Sequence, residues 1–128
     1  MYTRDFHKSI ENDEYPQAQR LAEYIRMFTK PKYFIDFGCS SGLYLREIKQ
    51  KMPYVQSIGY EFSKDAVDMA LCEDIIQFDL TVPLSTEKIP DTLGLCLEVL
   101  EHIDDSNWKP VLENMTTHCD MLIFSAAV

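Results

Sequence analysis

Short apolar runs alternate along this chain with stretches whose apolar residues recur at helical spacing. Five runs predict β-strands, at Tyr33–Ile35, Val55–Phe62, Ile75–Leu80, Leu93–Leu97 and Met121–Ser125. Most of these runs are continuously apolar rather than alternating apolar and polar, which is typical of a parallel sheet that is covered on both faces. The sequence therefore predicts an α/β fold with a doubly wound, Rossmann-like parallel sheet.

The first helix is predicted to begin near Asp13, ahead of the first strand. Pro16 suits a first helical turn, and Pro31 ends the apolar periodicity. Residues 1–12 are polar and are expected to be irregular and flexible.

Further helices are predicted between the later strands. Leu45, Ile48 and Met52 form one apolar helical face, and Ser63 is a candidate N-cap for the next helix. Asp104 and Asp105 are candidate caps for the last helix. The stretch between the prolines at positions 83 and 90 is expected to form a loop or a poorly formed helix.

The link from the first strand to its helix is rich in glycine. Asp36 is followed by Gly38 and Gly42, with Cys39 and Ser40 between them. A strand that turns on glycines into a helix is a ligand-binding corner of α/β proteins. Glycine lets a ligand approach the backbone closely, and the helix start presents unpaired N–H groups. A carboxylate two residues before the first glycine disfavours pyrophosphate and favours a ligand that carries positive charge.

An acidic residue stands at or just past the end of each of four predicted strands. These residues are Asp36, Glu61, Asp79 and Glu98. Ligands of such sheets bind at the carboxyl ends of the strands. Four acids aimed at one crevice predict a ligand that offers hydrogen-bond donors or positive charge.

Composition narrows the class of protein. The 128 residues, 46% of them apolar, suit a single domain over residues 1–128. The formal charge of −9 disfavours nucleic acid and anionic membrane as partners. The four cysteines are spread out and are expected to be thiols of a cytoplasmic protein. Residues 118–120 read His-Cys-Asp, but adjacent residues rarely converge on one ion, so no metal site is predicted.

Four sequence stretches together resemble the class I S-adenosylmethionine-dependent methyltransferases. They are IDFGCSSG (35–42), GYEFS (59–63), QFDL (77–80) and LCLEVLEHI (95–103). The resemblance implies S-adenosyl-L-methionine as cofactor and a sheet in the order 3-2-1-4-5-7-6. The chain stops on its fifth predicted strand, so the expected order is 3-2-1-4-5 without the last two strands. A truncated gene is the expected explanation.

The resemblance also implies roles for the glycine turn and the acid after the second strand. Gly38 and Gly42, with Cys39 between them, would shape the loop under the methionine part of the cofactor. Asp36 would lie near the ammonium group, and Glu61 would accept from both ribose hydroxyls. The family's middle glycine is replaced by Ser40, which is expected to take the turn at modest cost and to contact the cofactor.

The adenine and methionine ends of the cofactor are assigned to the other strand ends by the same resemblance. Asp79 would accept from the adenine amino group beside the Leu80 backbone, and Phe62 would pack on the ring. Glu98 would line the methionine and substrate side. His102 would either fix its loop through a backbone hydrogen bond or act as a general base.

The resemblance implies methyl transfer by direct displacement, and the acidic surface favours a small-molecule acceptor over nucleic acid. Two alternatives stay open: a non-catalytic S-adenosylmethionine-binding fragment of a longer methyltransferase, and an NAD-dependent oxidoreductase, since Glu61 stands where a ribose-binding acid belongs. An exposed fifth strand would also allow a homodimer through the sheet edge.

Overall fold

The computed structural model describes residues 4–97, 99, 103, 104 and 106–125, with side chains from Tyr15 onward. Within these ranges the chain forms four helices and five strands. In chain order they are α1 (Arg4–Phe28), β1 (Tyr33–Phe37), α2 (Leu43–Lys51), β2 (Gln56–Glu61), α3 (Lys64–Asp68), β3 (Ile75–Gln77), β4 (Thr92–Leu97), α4 (Trp108–His118) and β5 (Met121–Ser125). No helix in this described part is both long and apolar enough to cross a membrane.

The five strands form one parallel sheet in the order β3-β2-β1-β4-β5. This order confirms the predicted fold class and strand arrangement. Strand β1 lies at the centre, where the chain reverses its direction of winding, and Asp36 is opposite Gly59 of β2 and Leu95 of β4. The carboxyl ends of β1, β2 and β3 therefore meet at one rim of the sheet, which is where such folds bind ligands.

Both faces of the sheet are covered, as the continuous apolar strands predict. Successive strand side chains point to opposite faces, so Phe34 and Ile35 belong to different clusters. The buried residues on the first face include Ala22, Ile25, Leu45, Ile48 and Met52 from α1, α2 and the residue after α2. Those on the second face include Phe37, Tyr60, Leu80, Cys96, Val111 and Met115. Asp36 follows Phe34 by two residues in β1, so its side chain points to the same face of the sheet, which is the face covered by α2.

Helix α1 begins earlier than its sequence pattern predicts. It starts at Arg4 rather than near Asp13, so the segment expected to be irregular is helical from Arg4 onward. Pro16, expected in the first turn, lies inside the helix. Proline removes one N–H donor and so one helical hydrogen bond. The residues before it are mostly compatible with a helix, and the helix continues through the proline.

Helix α4 begins later than predicted. Asp104 was a candidate cap, yet the helix starts at Trp108 after Asn107, and the Asp104 carbonyl accepts the Asn107 N–H at 2.8 Å. The turn formed by this bond delays the helix. Asp105 lies outside the described residues. The predicted Ser63 cap of α3 is confirmed, because its hydroxyl accepts the Ala66 N–H at 3.3 Å.

Strand β3 is shorter than its apolar run. It ends at Gln77 rather than Leu80. The Asp79 carboxylate accepts both the N–H and the hydroxyl of Thr81, at 2.9 and 2.7 Å, and this local turn ends the strand. The loop that follows contains no helix or strand up to residue 91.

Asn114 of α4 fixes the start of that loop. Its buried side-chain amide donates to the carbonyls of Leu80 and Val82, at 2.7 and 2.8 Å, and accepts the Leu84 N–H at 2.9 Å. These bonds satisfy backbone groups of an irregular segment that would otherwise be left unpaired. Asn114 thereby connects the segment that contains Asp79 and Leu80, at the rim, to α4 on the second face of the sheet.

Candidate functional site at the sheet rim

The glycine turn after β1 is held in a left-handed conformation. Gly38 and Gly42 have φ of 73° and 92°, and Ser40 has φ of 53°. The N–H groups of Gly38 and Cys39 both donate to the Tyr60 carbonyl, at 2.7 and 3.0 Å. The turn is therefore fastened to β2. Ser40 takes the left-handed conformation that the missing middle glycine would take without strain.

Glu61 connects this turn to the start of α3. One carboxylate oxygen accepts the Ser40 N–H at 2.8 Å, and the other accepts the Ser63 N–H at 2.7 Å. The side chain is buried, with 8% of its residue surface exposed. An ionised carboxylate has about four acceptor positions. Two backbone donors therefore leave capacity for two further donors, such as neighbouring hydroxyls of a ribose.

Asp36 lies on the same face of the sheet as Glu61, one strand away, and is 4% exposed. Burial raises the pKa of the Asp36 carboxyl well above its ordinary value, and the charge of Glu61 raises it further. In the described part of the chain, no salt bridge includes Asp36. A buried carboxyl without a basic partner favours a ligand that brings positive charge.

Asp79 follows β3, the neighbour of β2 at the same rim. The Phe78 N–H donates to the Glu61 carbonyl at 2.9 Å, so Asp79 lies one residue beyond this contact with β2. Its first carboxylate oxygen is engaged by Thr81. The Phe62 side chain is 66% exposed, so its ring face is accessible to a ligand.

Not every predicted site residue can be placed. Glu98 and His102 lie outside the described residues. Val99 between them is described, and a Cβ atom added to Gly38 would overlap with its Cγ2 atom. Val99 therefore packs directly against the glycine turn, and the first glycine is required there for close packing as well as for its φ.

Several contacts of the site were not predicted from the sequence. Ser63 is predicted only as a helix cap through its hydroxyl, but its N–H also donates to Glu61. Cys72 and Ile75 surround Gly42, where an added Cβ atom would lie 3.3 Å from the Cys72 sulfur. Nothing in the spacing of these residues indicates such contacts, because they join segments that are far apart in sequence.

The arrangement suits a cationic nucleoside better than a metal ion. Among the described residues, no group of three or more His, Cys, Asp or Glu side chains is placed to hold a metal. A carboxylate with spare acceptor capacity suits vicinal hydroxyls, and the buried Asp36 carboxyl suits an ammonium group. The residues present therefore fit S-adenosylmethionine.

Several solved structures share this fold at low sequence identity. CalS10, an amino pentose methyltransferase from Micromonospora echinaspora solved with S-adenosylmethionine, is 15% identical, with a TM-score of 0.78 over 100% of this chain and 58% of that one. DesVI from Streptomyces venezuelae is 15% identical, with a TM-score of 0.70 over 90% of this chain and 51% of that one.

A third such structure is the plantazolicin methyltransferase BpumL in complex with S-adenosylhomocysteine. It is 20% identical, with a TM-score of 0.66 over 91% of this chain and 46% of that one. The present chain thus spans 46% to 58% of the length of these three proteins. At such identities the likeness shows the fold.

A family model provides the assignment that fold similarity alone does not. No curated protein matches the chain. The model described as a methyltransferase domain, however, matches residues 11–123. This match confirms the resemblance predicted from the four sequence stretches and shows that the chain belongs to the methyltransferase family.

Proposed function

We propose that residues 1–128 form one S-adenosylmethionine-binding methyltransferase domain, which transfers the sulfonium-bound methyl group to a small-molecule acceptor by direct displacement. The observation that carries this proposal is the position of Glu61. Its buried carboxylate joins the glycine turn to the start of α3 and retains acceptor capacity beside the buried Asp36. The family match over residues 11–123 supports the reaction class.

The first four proposed cofactor contacts come from the ends of three adjacent strands, β1, β2 and β3. Glu61 accepts from the two ribose hydroxyls, and Asp36 faces the ammonium group. Asp79 accepts from the adenine amino group through its second oxygen, since the first is engaged by Thr81. Phe62 packs on the adenine ring with its exposed side chain.

The remaining proposed contacts involve the glycine turn after β1, the backbone that follows Asp79, and two residues that come after β4 in sequence. Gly38 and Gly42, with Cys39 and Ser40 between them, form the floor under the methionine part. The Leu80 backbone lies beside the adenine. Glu98 stays a prediction for the methionine and substrate side, as does His102 for a general base.

The protein's own contribution to the reaction is positioning and exclusion of water. The cofactor supplies a methyl group that is already activated on a sulfonium. The turn, fastened to Tyr60 and Glu61, holds its ligand in one orientation, and such positioning is a large source of rate enhancement. An unprotonated nucleophile can attack the methyl group without prior proton transfer. The described residues then need not supply a general base.

A small molecule is the proposed acceptor. CalS10 acts on an amino pentose, which is a small molecule, and its fold is shared by this chain. The formal charge of −9 disfavours nucleic acid at long range. A cytoplasmic location is proposed because none of the four cysteines forms a disulfide.

We propose a homodimer through β5. In the described sheet β5 pairs with β4 alone, and Met121 and Phe124 are 55% and 51% exposed. A strand edge with apolar side chains and no charge along it can pair with a second copy. Sedimentation analysis should show a dimer that Phe124→Lys dissociates; a wild-type monomer at all concentrations rejects it.

Binding and transfer should be measured on the same protein. Calorimetry with S-adenosylhomocysteine should show one site per chain, and a radiolabelled methyl group should pass from S-adenosylmethionine to members of a small-molecule panel. Binding without transfer to any acceptor would favour the cofactor-binding fragment, which the coverage of about half of the solved relatives also permits. Binding of NADH together with no binding of S-adenosylhomocysteine would reject the proposal in favour of an oxidoreductase.

A further inference from the structure

Among the described carboxyls of the proposed cofactor site, Asp36 is the most deeply buried. It sits within the central strand, flanked by Gly59 and Leu95 on the neighbouring strands, and is 4% exposed. An ionised carboxylate in such a place is stable only when it is paired or strongly hydrogen-bonded. The groups that face it therefore decide its protonation state.

Among the described residues, the titratable groups whose pKa is linked to Asp36 are one carboxyl group and two thiols. Glu61 approaches from the end of β2, and its negative charge acts on Asp36 directly. Burial, and then the neighbouring Asp36 and Glu61 carboxylates, raise the pKa of the Cys39 thiol well above its ordinary value. Burial also raises the pKa of the Cys72 thiol, and the charge of Asp36 contributes to this rise. From β4 the neighbour is Leu95, which is uncharged.

Two cations of α2, Lys49 and Arg46, form ion pairs with carboxylates other than Asp36. Lys49 of α2 donates to the Asp74 carboxylate at 2.8 Å. The Arg46 guanidinium lies 5.5 Å from the centre of the Tyr15 ring. Neither cation forms a salt bridge with Asp36. A positive charge for Asp36 is therefore expected to come from a ligand.

We propose that Asp36 is protonated in the ligand-free protein at neutral pH, and that binding of the cofactor's ammonium group ionises it and releases one proton to solvent. The O–H bond of the carboxyl breaks, and the resulting carboxylate accepts a hydrogen bond from the ammonium. This inference rests on the proposed function, because it takes the ligand to be S-adenosylmethionine or its product. It makes Asp36 a cofactor-binding residue whose protonation state is coupled to occupancy.

The same proposal has a consequence for the ligand-free chain. Because the pKa of Asp36 is raised on folding, the folded chain holds a proton at pH values where the unfolded chain has lost it. Stability then falls as pH rises from about 4, the ordinary aspartate pKa, towards the raised value. Asp36→Asn should remove this loss, so its melting temperature should exceed that of the wild type near pH 7. The difference should disappear near pH 4.

Calorimetry in two buffers of different ionisation enthalpy tests the linkage. S-adenosylhomocysteine is titrated into the whole chain at pH 7 in phosphate and in Tris, and the difference in heat gives the protons released. About one proton per site is expected for the wild type. Asp79→Asn should bind more weakly but release the same amount, since it leaves Asp36 intact.

The possible results separate the inference from the proposed function. Wild-type binding with no buffer dependence overturns the proton linkage and leaves the cofactor assignment standing, whereas absence of binding overturns the proposed function itself. Proton release that persists in Asp36→Asn also overturns the linkage. If that variant binds too weakly to titrate, its pH-dependent melting decides: a curve that parallels the wild type from pH 4 to pH 8 rejects the proposal.

Discussion

Replacing Glu61 with alanine should weaken S-adenosylhomocysteine binding by roughly 100-fold or more, the largest loss expected from any single site residue. Hydrogen bonds to a charged group contribute about 1.5–3 kcal/mol each, and a factor of 10 in affinity corresponds to about 1.4 kcal/mol. The variant removes the proposed acceptor for two ribose hydroxyls. It also frees the glycine turn on which the methionine part is proposed to lie.

The same substitution should lower the stability of the ligand-free chain. The N–H groups of Ser40 and Ser63 both lose their acceptor, and each lies in a partly buried region. Loss of a partner from a buried polar group costs about 1–3 kcal/mol, although water entering the space left by the side chain will offset part of this. Urea unfolding measures this loss, and calorimetry measures the affinity.

Two variants separate charge from contact. Glu61→Gln keeps the side-chain size but turns an N–H₂ group towards one of the two backbone donors, so it should lose affinity while unfolding at a urea concentration between those of wild type and Glu61→Ala. Glu73→Ala removes the same charge from an exposed position and should leave both quantities unchanged. A Glu61→Ala variant that binds within about threefold of wild type would contradict the assigned role of this carboxylate.

The convergence of Asp36 and Glu61 could be predicted because it follows from strand geometry. Parallel strands in the order 3-2-1-4-5 bring their carboxyl ends to one rim. The alternation of side chains then places both carboxyls on the face covered by α2. Apolar periodicity and the glycine turn contain this information locally, so the sequence was sufficient for the arrangement of the rim.

The contacts that tighten the rim could not be predicted, since they depend on tertiary packing. Glu61 engages the Ser40 N–H across 21 positions in sequence, and Asn114 holds the loop after Asp79 from α4. The predicted start of α1 was wrong for a related reason. Pro16 favours a helix start on local grounds, whereas packing of α1 on α2 sustains a helix that runs through the proline.

Gly38→Ala should destabilise the chain by about 2–5 kcal/mol. The left-handed φ of 73° costs an alanine about 1–2 kcal/mol, and the added methyl group would overlap with Cγ2 of Val99, where overpacking typically costs about 1–3 kcal/mol. Small domains are stable by only about 5–15 kcal/mol, so the loss is a large share of the total. Urea unfolding of wild type and variant at pH 7 gives the difference directly.

A second substitution divides this loss into its two causes. Val99→Ala removes the overlapping methyl groups but leaves the backbone conformation as it was. The Gly38→Ala/Val99→Ala double variant should therefore be more stable than the sum of the single changes by about 1–3 kcal/mol, the steric part of the cost. Additive single changes would show that Val99 does not press on the turn. Positive coupling would show that Val99 and the turn form one packed unit, so that a displacement of Val99 is transmitted directly to the turn backbone.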